Sequence, residues 1–134
     1  MIRAILFDLD GTLVHYDYDT FVHAYLGAVA RKVAHLVEPK RFVKQLLAAT
    51  EAMIASLDHT RTNMEVFWEY FPNGLDVSME VLTPILEEFY LQDFPRIQEV
   101  LQVAPVPAAR GLVERLLTNG YEVVIATNPV FPAI

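Results

Sequence analysis

The chain of 134 residues has room for one domain, or for a small domain with an insertion. Its 54% hydrophobic composition, with 8 Phe, 6 Tyr and 1 Trp, excludes a disordered chain. A net charge of −7 argues against nucleic acid and anionic membrane surfaces as partners, and the absence of Cys excludes disulfides, thiolate metal sites and a thiol nucleophile.

The chain opens with an apolar run, Ile2 to Phe7, that breaks at Asp8-Leu9-Asp10-Gly11-Thr12. A short apolar run before a glycine turn predicts a strand buried on both faces, as in a parallel sheet. The run Ile5-Leu6-Phe7 is too short for a signal peptide and meets Asp8 at once. No stretch approaches the length of a membrane span. The expectation is a soluble cytoplasmic protein.

From about Tyr16 to about Gln102 the pattern is helical. Val22, Leu26, Val29, Val33 and Leu36 form one apolar stripe. Val43, Leu46, Leu47, Met53, Ile54 and Leu57 form a second, after Pro39. Met64, Phe67, Trp68 and Phe71 form a third, which stops at Pro72-Asn73-Gly74. Leu82, Leu86, Phe89 and Tyr90 form a fourth, with Pro84 either opening the helix or kinking it. Four amphipathic helices on short connections predict a small bundle.

Beyond Pro105-Val106-Pro107 the spacing predicts a helix with Pro107 in its first turn. Its expected buried face is Leu112, Val113, Leu116 and Leu117, and Asn119-Gly120 is its stop signal. Glu122 to Thr127 then predicts a second buried strand. Strand, helical block, helix, strand is an α/β pattern.

The residues that carry chemistry follow the first strand. Asp8 and Asp10 are two apart, so both can face one pocket at the carboxyl end of the sheet. Two carboxylates so close repel unless a cation lies between them, and a hard, oxygen-loving ion such as Mg²⁺ suits them. The competing reading is an acidic turn in which both cap loop amides. The longer string Asp8-Leu9-Asp10-Gly11-Thr12-Leu13 is harder to dismiss: its five fixed positions recur by chance in on the order of one in ten thousand chains of this size.

That string resembles the first motif of the haloacid dehalogenase superfamily, D-x-D-G-T-[LV]. Val123-Val124-Ile125-Ala126-Thr127-Asn128 resembles its second, an apolar strand ending in Ser or Thr and often followed by Asn. The resemblance implies a Rossmann-like parallel-sheet core, incomplete here, with an inserted α-helical bundle as a cap. Residues 1–15 and 103–134 would form the core and residues 16–102 the cap. It implies a Mg²⁺-dependent phosphatase acting on a small phosphorylated metabolite. Asp8 would attack phosphorus and become an aspartyl phosphate, while Asp10 would act as general acid and then general base. Mg²⁺ would sit on the Asp8 carboxylate and the Asp10 backbone carbonyl. Thr127 and Asn128 would bind the phosphate. A phosphomutase stays open within the same chemistry, and the oligomeric state is unknown.

Two further family motifs supply a lysine and acidic metal ligands after the second motif. Here no Lys follows Lys44 and no Asp or Glu follows Glu122. Removing one preorganised electrostatic group costs roughly 10²–10³ in rate. The chain as written is therefore expected to be nearly inert and a truncated form of an enzyme. The alternative is a non-catalytic remnant that binds phosphate or a protein partner.

The other polar and aromatic candidates read more plainly. His15, His23, His35 and His59 are too scattered for a metal site. His15 and Tyr16 stand where the chain crosses from core to cap, where substrate contact and hinge packing are both open. Phe67, Trp68, Tyr70 and Phe71 read as core, and Glu87-Glu88 as a solvated face.

Overall fold

The structure is a computed structural model that describes residues 2–127. Strand β1, Ala4–Phe7, pairs in parallel with β4, Glu122–Ile125, in the register Ala4↔Glu122 to Phe7↔Ile125. The helix between them in the last part of the chain, α5, spans Ala109–Thr118 and packs on β4. Asn119 closes it, and Gly120 takes φ +78, a left-handed exit that suits glycine. Pro107 precedes α5 rather than sitting in its first turn.

Between β1 and α5 lies the helical block. Helix α1 is Tyr18–Val33, α2 Pro39–Ala55, α3 Asn63–Tyr70 and α4 Met79–Glu88. Local chemistry sets each start. The Asp17 carboxylate accepts from the Thr20 amide at 2.7 Å. Glu38 accepts from the Lys40 and Arg41 amides, with Pro39 in the first turn. Thr62 and Glu65 form a reciprocal capping box. Helix α4 begins five residues before Pro84, so the proline does not open it but lies inside it, where its missing N–H costs the helix one backbone bond.

After α4 the chain widens into a π-helical turn, Phe89–Asp93, and then tightens into a 3₁₀ turn, Phe94–Glu99. The Phe94 amide donates to the Phe89 carbonyl, the five-residue bond of a π-turn. That geometry aligns residues five apart. Lys32 of α1 therefore reaches Glu88 and Asp93 together, each at 2.9 Å.

The block enters and leaves through a neck. Strand β2, Val14–His15, pairs antiparallel with β3, Ala104–Pro105, and the Val106 amide donates to the Leu13 carbonyl at 2.9 Å. The two crossings are thus bonded to each other.

The hydrophobic core belongs to the block. Tyr25, Val33, Phe42, Phe71, Leu82 and Phe89 are all fully buried there, and Ala109 is the buried apolar residue outside it among those described. Aromatic rings fill the centre: Phe21 stacks on Tyr25 at 6.0 Å, and Phe42 meets Phe71 edge-on at 5.6 Å.

Three expectations need correction. The two strands are not buried on both faces: Leu6 is 64% exposed and Ile125 58%. A two-stranded sheet with one helix on it has too little cover for both faces. On α5, Val113 and Leu116 are half-buried while Leu112 and Leu117 lie open, for the same reason. On α2 the buried stripe is Phe42, Leu46, Ala49, Thr50 and Met53, whereas Leu47, Ile54 and Leu57 face outward. Positions 42, 46, 49, 50 and 53 follow one helical face, and 47, 54 and 57 sit beside it.

Candidate functional site

The Asp8 pair stands where strand pairing stops. Phe7 is the last residue of β1, and its carbonyl accepts from the Ala126 amide at 2.8 Å. Continuing the register sets Asp8 opposite Ala126, with Thr127 one residue on. Asp8 and Thr127 therefore leave adjacent parallel strands at the same, carboxyl-terminal end, where open α/β sheets bind ligands. Asp8, Asp10 and Thr127 are all exposed. Asn128, the other expected phosphate ligand, lies outside the described residues.

The loop after Asp8 is held by its own backbone. The Leu9 carbonyl accepts from the Thr12, Leu13 and Val14 amides at 3.2, 2.9 and 3.1 Å, and the Gly11 amide donates to the Val14 carbonyl at 2.8 Å. Gly11 takes φ +76 with open space where a Cβ would point, so conformation alone requires glycine there. The amides of Gly11 to Val14 bond to carbonyls, so these four are not the donors of an acidic turn.

Tyr16 joins this pair. It is half-buried, two residues past the Asp10–Val14 bridge. Burial, then the Asp10 charge, then hydrogen bonding to Asp10 push the phenol up to about 12. The sequence left Tyr16 open between hinge and site, because nothing in the spacing of Asp10 and Tyr16 shows that the loop folds back. The isolated bridge between Asp10 and Val14 brings it back.

Among the described residues no cluster of three His, Asp or Glu side chains forms a metal cage. Mg²⁺ does not demand one: it keeps several waters and takes one or two carboxylates plus substrate phosphate. Hard oxygen donors from Asp8 and Asp10 suit that mode. The four histidines are exposed, and His23 is engaged with the Asp19 carbonyl at 2.8 Å.

A cleft of about 650 Å³ lies elsewhere, in the helical block, with Met64, Trp68, Met79, Thr83 and Glu87 on its walls. Glu87 is its one ionised wall residue, and no basic group lines it to meet a phosphate. Chemistry places the candidate site at the strand ends instead.

The family model of the haloacid dehalogenase-like hydrolases matches residues 2–133. The chain belongs to that family of hydrolases. A search of curated proteins finds no match to it. No helix among the described residues is long and apolar enough to cross a membrane.

Proposed function

We propose that the protein is a Mg²⁺-dependent phosphatase acting on a small phosphorylated metabolite through an aspartyl phosphate on Asp8. The observation that carries this reading is the shared strand end of Asp8 and Thr127, with Asp10 two residues on. Asp8 attacks phosphorus in line with the leaving oxygen, and Asp10 gives that oxygen a proton. Asp10 then takes a proton from the water that attacks the aspartyl phosphate, which frees Asp8 and releases inorganic phosphate. The Thr127 hydroxyl, and Asn128 beside it, donate to the phosphate oxygens. Bound Mg²⁺ supplies charge neutralisation between Asp8 and the incoming phosphate.

In this reading residues 1–15 and 103–134 belong to the catalytic core and residues 16–102 form a cap over it. The paired crossings at Val14–His15 and Ala104–Pro105 support a neck between two parts. A cap that seats over the strand ends excludes water from the phosphoryl group. No Lys follows Lys44 and no acid follows Glu122, and each such preorganised group is worth roughly 10²–10³ in rate. The 134 residues by themselves are expected to turn over close to nothing. The protein's site of action in this reading is the cytoplasm.

The test is phosphate release from an aryl phosphate by the protein at its native length. Mg²⁺-dependent release that stops on chelation, and stops in Asp8→Asn, is the expected result. Full activity in Asp8→Asn would sink the assignment. A second reading is a non-catalytic remnant that binds phosphate or a protein partner, favoured by the missing cation. Phosphate binding without turnover at native length would select it.

A further inference from the structure

Helices α3 and α4 each turn a stripe of side chains toward the cleft in the helical block. Met64 and Trp68 stand four apart on α3, and Met79, Thr83 and Glu87 stand four apart on α4, so each set shares one helical face. Helix α3 packs on α2 and α4 packs on α1, and the cleft takes wall from all four helices. At about 650 Å³ it is far larger than the water-sized voids that close packing leaves, and it falls in the range of small-molecule pockets. Exposure is graded along its walls. Phe67 and Leu86 are buried, Trp68, Met79, Thr83 and Tyr90 are half-buried, and Met64 and Glu87 are exposed.

The chemistry of the walls is one-sided. Aromatic rings and thioethers make an apolar lining that adapts its shape to an occupant. Glu87 is the acidic wall residue, and no Lys, Arg or His is present to oppose it. Glu87 makes no ion pair among the described residues, whereas its neighbour Glu88 is held by Lys32. An anion entering this cleft would lose water and gain no charged partner. A cation would meet the Glu87 carboxylate and the rings of Trp68 and Tyr90, which attract positive charge. The net charge of −7 acts in the same direction.

We propose that the cleft is a second binding site, and that it takes a small organic amine. The apolar body of the ligand lies between the α3 and α4 stripes, and its ammonium group meets Glu87. None of the wall residues belongs to the acidic loop, the strand ends or the neck, so the inference stands apart from the phosphatase reading.

Trp68 is the single Trp of the sequence and stands in the cleft wall, so its emission reads occupancy. The experiment titrates the protein with 4-phenylbutylamine, charged at pH 7 as a lysine is, and with the neutral 4-phenylbutanol of the same apolar body. The amine should saturate the signal and bind more tightly than the alcohol by roughly threefold to thirtyfold, the combined range of a part-exposed ion pair and a cation–π contact. Glu87→Gln, an exposed and structurally mild change, should weaken the amine by roughly twofold to fivefold and leave the alcohol as it was. Glu80→Gln, on the same helix but outside the cleft, should change neither. No saturable response to the amine, equal affinity for the two probes, or an amine preference that survives Glu87→Gln overturns the inference. Trp68 emission that changes with protein concentration alone would give the cleft to a second copy of the chain, which also overturns it. Asp8→Asn should bind the amine as the wild type does. A loss there would place the amine at the strand ends and overturn the inference, whereas failure of phosphatase activity leaves it standing.

Discussion

The hydroxyls of Tyr25 and Tyr90 meet at 2.7 Å, 65 residues apart in the chain, and join the middle of α1 to the π-helical turn. Burial, foremost, raises both phenols above their ordinary value of 10.0. Tyr25→Phe would leave the Tyr90 hydroxyl short of this partner in a desolvated place, at a cost of about 1–2 kcal/mol. Urea unfolding followed by Trp68 fluorescence measures it. The same pair sets an alkaline limit. Unfolded tyrosines lose their protons near pH 10, whereas the folded pair holds them, so the unfolded state binds fewer protons there. Stability is therefore full below pH 10 and should fall as pH rises beyond it. A Tyr25→Phe, Tyr90→Phe double variant should show a shallower alkaline fall, and an unchanged slope would count against this account.

Helix α2 offers a test of its register. Phe42 is fully buried against Phe71, and Leu57, just beyond the helix, is 85% exposed. Phe42→Ala should destabilise by about 3–5 kcal/mol, the usual range for emptying a buried aromatic site. Leu57→Ala should stay within about 0.5 kcal/mol of the wild type. Comparable losses at the two positions would mean that the buried face has been assigned to the wrong side.

Gly11 carries a prediction about the acidic loop. At φ +76 an alanine there meets no steric neighbour but adopts a left-handed backbone, which costs about 1–2 kcal/mol. Gly11→Ala should lower the thermal midpoint slightly and displace the Asp10 amide from its native chemical shift. An alanine variant with unchanged stability would show that the loop relaxes to another conformation at no cost.

The sheet leaves apolar surface open. Leu6 and Ile125 are 64% and 58% exposed, on a sheet that has two strands among the described residues and leaves its edges unpaired there. The isolated 134-residue chain should bind a hydrophobic dye and self-associate at micromolar concentration. Leu6→Lys should reduce both. Sedimentation that stays monomeric for the unmodified chain would sink this expectation.

Parts of the architecture were legible in the order of residues because the signals are local. Pro39, Gly74 and Gly120 act within a turn of the helix ends that they mark, so those ends were legible, whereas Pro84 and Pro107 did not give the starts of α4 and α5. The acidic string and the apolar run ending at Thr127 marked a family whose model now covers residues 2–133. Other features failed for want of context. Leu47, Ile54 and Leu57 are as apolar as Leu46, and only the partner helices α1 and α3 decide which of them is covered. The strands read as doubly buried because Val123-Val124-Ile125 is apolar throughout, yet burial depends on what lies on each face.

The sequence by itself determined the α/β order, the helix ends marked by Pro39, Gly74 and Gly120, and the Asp8 and Asp10 pair, since each depends on residues a few positions apart. Tertiary structure alone decided the parallel pairing that brings Thr127 to the strand end of Asp8, the π-turn that lets Lys32 hold Glu88 and Asp93, and the return of Tyr16 to Asp10. Each of these joins groups through a change of chain direction or across long separation. The free energy that selects them comes from packing and from desolvated hydrogen bonds, which no local pattern encodes.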